Sequence, residues 1–132
     1  MAKADAAIEV RDGDVLLMVG TMKGAFLARS RRARARWEVS GPLFPGSAVY
    51  AMAYDDRGAR RRVWASVSSM HWGAVLRRSD DLGRTWTDPK EANVKFPAPA
   101  RTSLRQIWQI EPGRADEPDT LYCDVEPAAL FE

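Results

Sequence analysis

The chain has 132 residues, 45% of them hydrophobic and 29% charged, with a formal net charge of +2 at pH 7. That length and apolar fraction suit one domain with a real core and exclude an unfolded composition. The small net charge gives no ground for a nucleic-acid partner, and the lone Cys123 excludes an internal disulfide framework.

Residues 1–7 lack a long apolar core, so neither a signal peptide nor a membrane span is read there and no membrane partner is expected. Sixteen arginines against four lysines hint at a GC-rich bacterial genome, and the expected setting is the bacterial cytoplasm. The first unit, over about residues 8–41, carries strand-like runs near 14–20, 24–30 and 35–40. A second unit, 48–90, has four runs near 49–55, 61–68, 73–79 and 84–88. The third, 104–132, begins with runs near 105–111 and 119–125 and stops at its third strand. Turn clusters such as Asp12-Gly13-Asp14, Asp55-Asp56-Arg57-Gly58 and Glu111-Pro112-Gly113 separate the runs. No stretch keeps a helical period, so the class is all-β.

The octapeptide Ser79-Asp80-Asp81-Leu82-Gly83-Arg84-Thr85-Trp86 has the chemistry of a tight β-turn. Asp81 is placed to accept hydrogen bonds from the turn's own backbone, and Gly83 supplies a positive φ. Thr85 completes the polar turn, and Trp86 returns a large ring to the core. The segment before it repeats upstream: Gly24-Ala25-Phe26-Leu27-Ala28-Arg29-Ser30 aligns with Gly73-Ala74-Val75-Leu76-Arg77-Arg78-Ser79 at an offset of 49 residues. In both copies a tryptophan, Trp37 or Trp86, follows the serine by seven positions. The first copy has lost its turn residues and keeps Trp37 as the expected anchor, while a third begins at Ala128-Ala129-Leu130-Phe131. A period of roughly 50 residues built from short strands is that of a propeller blade.

The pattern Ser-x-Asp-x-Gly-x-Thr-Trp is identical to the Asp box of the sialidase-like, WD40/YVTN/BNR-repeat β-propellers. The frame Gly20 to Leu27, the segment Trp37-Glu38-Val39-Ser40-Gly41-Pro42 and the run Ile110-Glu111-Pro112-Gly113 resemble the same family. The resemblance spans about residues 15–131 and implies four-stranded antiparallel blades, with about two and a half of them in this chain. Propellers close with roughly four to eight blades, so the chain is expected to be the N-terminal part of a longer ring, or one protomer of a homo-oligomeric one. In this family the box is structural, and sialidase activity depends on an arginine triad, a tyrosine nucleophile paired with a glutamate, and an aspartate acid/base. The family's early Arg-Ile-Pro segment is absent, so no triad member carries over, and Tyr50, Tyr54 and Tyr122 read as half-buried strand aromatics. The catalytic set is therefore unassigned, and a glycosidase-like fragment not competent alone stands beside a non-catalytic scaffold.

The resemblance also implies a ligand face, at the end opposite the box turns. Its loops are Thr21-Met22-Lys23, Ser69-Met70-His71-Trp72 and Glu126-Pro127, with inter-blade segments 42–49 and 89–105. The candidates on that face are Lys23, His71, Trp72, Arg101, Arg105 and Glu126, with a glycan or small molecule as ligand. A single histidine without a second histidine or a neighbouring cysteine gives no metal set, and no cofactor is implied. Arg29, Arg31, Arg32, Arg34 and Arg36 read as a solvated hairpin turn rather than a polyanion site, and Arg60-Arg61-Arg62 likewise. Cys123 reads as a buried, inert strand thiol.

Overall fold

The computed structural model describes residues 8–91 and 94–132. Among the described residues, nine strands form three separate sheets, each an antiparallel meander in chain order. The first sheet contains β1 (Val15–Thr21), β2 (Gly24–Ser30) and β3 (Trp37–Leu43). The second contains β4 (Ala48–Asp55), β5 (Arg62–Ser69) and β6 (Gly73–Ser79). The third contains β7 (Gln106–Pro112), β8 (Leu121–Glu126) and β9 (Ala129–Phe131). Only three short 3-10 turns interrupt the β structure among the described residues. The β-branched and aromatic residues of the runs, bounded by Gly, Asp and Pro clusters, account for the strand choice.

The sheets stack in sequence, with β4 against both β1 and β7. Ala25 of the first sheet and Val49, Ala65, Val67 and Val75 of the second form one core cluster, with Phe44 and Trp86 packed against it. Ala53 of the second sheet and Ile107, Ile110, Cys123 and Val125 of the third form another, flanked by Trp64, Leu76, Phe96 and Phe131. The middle sheet is covered on both faces, which is why the interior of β5 reads as a nearly continuous buried run. Gly20 makes the first contact possible, since a Cβ there would overlap the carbonyl oxygen of Val49. Polar ties hold the second contact: the Ser66 hydroxyl donates to the Ile107 carbonyl (2.7 Å), and that of Ser68 to Gln106 Oε1 (2.9 Å).

At the opposite end, Arg57 clamps the second sheet to the third. Its guanidinium donates to both carboxylate oxygens of buried Asp55 (2.8 and 2.9 Å) and to the carbonyls of Glu117 (2.6 Å) and Thr120 (2.9 Å). The Arg57 hydrogen bonds lower the Asp55 pKa to about 2, against the opposing effect of burial.

Three sequence expectations change. The second unit has three strands, not four, because residues 84–88 do not form a strand. The Thr87 amide bonds the Arg78 carbonyl (2.9 Å), but the Thr87 hydroxyl takes the Arg78 amide (3.0 Å), and Pro89 then starts a 3-10 turn. The ladder stops there because its next bond is made by a side chain and the following proline has no N–H. Trp37, expected as an anchor, is 40% exposed. The repeat places β1 where β5 lies in the second unit, but no sheet covers that face of the first unit among the described residues, so Leu17, Val19 and Val39 are exposed with it. Tyr50 and Tyr54 are exposed, whereas Tyr122 is half-buried as expected.

Candidate functional site

The box folds as a closed hydrogen-bond circuit. The Ser79 hydroxyl donates to Asp81 Oδ1 (2.7 Å) and accepts from the Gly83 amide (2.7 Å). Asp81 Oδ1 also accepts from the Thr85 amide (2.8 Å), and its Oδ2 from the Thr85 hydroxyl (2.6 Å). Partial burial raises the Asp81 pKa, but the bonds from Thr85 and Ser79 outweigh it and hold it at about 2. Gly83 has φ +88°, and a Cβ there would lie 2.5 Å from Leu27 Cδ1, so the turn also seats against the first sheet. Trp86 meets Phe44 edge-on, with centroids 4.8 Å apart, and donates its indole N–H to the Gly83 carbonyl (3.2 Å). The box thus fastens the second sheet to the first, and the side-chain oxygens of Ser79, Asp81 and Thr85 are engaged within it.

The degenerate first turn keeps only the serine's role: the Ser30 hydroxyl donates to the Arg36 carbonyl. Arg31, Arg32, Arg34 and Arg36 are exposed, while Arg29 lies inward against Asp14 (2.8 Å) and Glu38 (2.8 Å). In the other basic run, Arg60 bonds Asp119 and Arg62 bonds Asp80.

The strand registers put the turns at 21–24, 69–73 and 126–129 at one end of the stack. Gly20 near the end of β1 touches Val49 near the start of β4, and Ser68 near the end of β5 bonds Gln106 at the start of β7. The Lys23 carbonyl accepts from the Gly46 amide (3.1 Å), and the Arg105 amide donates to the Glu126 carbonyl (2.8 Å). Of the six candidates, the sequence neighbours His71 and Trp72 line one cleft together. Trp72 is 51% exposed and His71 is exposed beside it. Arg101 ends a 3-10 turn with φ 49°. The side chains of Lys23, Arg101, Arg105 and Glu126 make no hydrogen bond to one another among the described residues.

Two residues that were not among the candidates complete this end. Tyr50 and Trp108 each sit at a β-bulge, where the pairing shifts between Val49 and Ala51 and between Ile107 and Gln109. The rings meet edge to face across neighbouring strands, with centroids 5.2 Å apart, and are 41% and 43% exposed. A bulge inserts one extra residue and re-aims its side chain. The sequence carries the signal in two parallel pentapeptides, Ala48-Val49-Tyr50-Ala51-Met52 and Gln106-Ile107-Trp108-Gln109-Ile110. Among the described residues, no three of His, Cys, Asp or Glu group as a metal would require, and no helix is long and apolar enough to cross a membrane. No protein-family model matches this chain, and no curated protein matches it in sequence.

Proposed function

We propose that this chain is built as part of a sialidase-like Asp-box β-propeller, and that its loop end binds a glycan without catalysing its hydrolysis. What supports the architecture is the box circuit on Asp81, the 49-residue repeat, and the stacking of three meanders with β4 between β1 and β7. The observation that carries the function is the exposed Tyr50–Trp108 pair at the loop end. Two aromatic faces held at fixed angles suit the apolar face of a pyranose ring, and backbone bulges hold them there at little entropic cost. Arg105 and Glu126, joined through their backbones (2.8 Å), lie at the same end of the third sheet as the start of β7. A pair of carboxyl groups spaced for glycoside hydrolysis is not assigned at this end.

The test is titration with a panel of neutral and acidic oligosaccharides, followed by tryptophan fluorescence, together with a fluorogenic glycoside assay. We expect saturable binding that Trp108→Ala abolishes, with no release of fluorophore. Absence of binding across the panel, or binding indifferent to Trp108→Ala, refutes the glycan reading and leaves a protein-binding scaffold. Turnover that survives purification would instead place hydrolysis on this chain.

A further inference from the structure

A second site uses neither residue of the aromatic pair and lies in the cleft between the β3–β4 connection and the second sheet. It has a volume of about 260 Å³ and is lined by Phe44, His71, Trp72, Val75, Arg77 and Pro89 among others. Arg77 and Arg78 each have a buried Nε without a hydrogen-bond partner, but Arg78 ion-pairs with Asp80 (3.2 Å) and Arg77 does not. Arg29, Arg57, Arg60 and Arg62 each pair with an aspartate. Arg77 has no ion pair or side-chain hydrogen bond among the described residues, and its Nε is buried without a partner. Its guanidinium carbon lies 5.2 Å from the centroid of the Phe44 ring. An N–H buried without an acceptor carries an uncompensated desolvation cost, and one well-placed anion at the half-exposed guanidinium relieves it. Burial lowers the Arg77 pKa, with partial compensation from the charge of Asp88.

The rest of the cleft fits a ring as well as a charge. Trp72 stands half-exposed at the rim, with Lys90 Nζ 5.9 Å from the centre of its ring. Phe44 and Pro89 line the walls, and exposed His71 stands at the mouth. Ser69 Oγ is engaged by the Trp72 amide (2.9 Å), which fixes the loop that presents the indole. We infer that this cleft binds a small carboxylate carried on a planar or apolar ring, with Arg77 receiving the carboxylate and Trp72 and Phe44 flanking the ring. The inference stands apart from the glycan reading, because it uses neither Tyr50 nor Trp108.

Sodium benzoate is the probe, with benzamide as its uncharged counterpart, measured by titration calorimetry on the full chain. We expect saturable benzoate binding in the millimolar range or tighter, and benzamide binding about tenfold weaker or absent. Arg77→Met keeps an apolar stem over Phe44 and removes the unpaired charge, so it should fold and lose benzoate by about tenfold or more. Should that variant fail to fold, Trp72→Ala carries the test, since Trp72 stands at the rim and outside both core clusters. Lack of saturable benzoate binding, equal affinity for benzamide, or unchanged affinity in the folded variant overturns the inference. Retention of benzoate binding in Trp108→Ala separates this site from the glycan platform.

Discussion

Asp81→Asn is the sharpest probe of the box. The native carboxylate accepts from the Ser79 hydroxyl and from both the amide and the hydroxyl of Thr85, and its pKa is held at about 2 against an ordinary 3.8. A depression of that size corresponds to at most roughly 2 kcal/mol of folding stability at neutral pH, and solvent screening at this partly exposed turn reduces it to about 1 kcal/mol. Because the folded pKa lies below the unfolded one, that stability is fully present above about pH 5. It is lost as the pH falls through the ordinary carboxylate range towards 2. Asparagine preserves the shape and one acceptor oxygen but turns an amide N–H₂ towards hydroxyl donors. We expect Asp81→Asn to lower stability by about 1 kcal/mol at pH 7 and by much less near pH 2, read from urea unfolding with an unchanged slope. Equal stability of the two proteins at pH 7 would refute the circuit. A gap of the same size at both pH values would show that the loss is packing and not charge.

Trp86→Ala removes the ring shared by the box and the first core cluster, and should cost about 3–5 kcal/mol in urea or thermal unfolding; an unchanged midpoint would remove its role as an anchor. Arg57→Ala leaves the buried Asp55 carboxylate without its partner and should cost about 3–5 kcal/mol. It should also flatten the acid profile between about pH 5 and 2, where the depressed Asp55 contributes in the native chain, and an unchanged profile would refute that account. Burial pushes the Cys123 thiol up to about 11, so an aromatic disulfide reagent at pH 8 should label it only after unfolding; rapid labelling of the native chain would contradict its burial.

Much of the fold was legible because its signals are local. Short β-rich runs between Gly, Asp and Pro clusters marked eight of the nine strands directly, and the third repeat start at residues 128–131 marked β9. The box chemistry was legible for the same reason: Ser79, Asp81, Gly83 and Thr85 close their circuit within seven residues. The loop end was legible in outline, since meander topology puts alternate turns at one end. Which side chains gather there depends on contacts between sheets: His71 and Trp72, neighbours in the chain, line one cleft together.

Burial depends on what covers a face, and that separates what the sequence determined from what the tertiary structure decided. The repeat made Trp37 and Trp86 equivalent, yet Trp86 packs between two sheets while Trp37 lies on an uncovered one. Tyr50 and Trp108 became a pair only when two bulges and the β4–β7 contact brought their rings together. Arg77 is one of sixteen arginines in the sequence, and only the cleft around it left its Nε buried and unpaired. Composition and local spacing fix strand, turn and repeat because those choices are settled within a few residues of the backbone. Which side chains end exposed, paired or stranded depends on contacts between sheets, and those form only when distant segments meet.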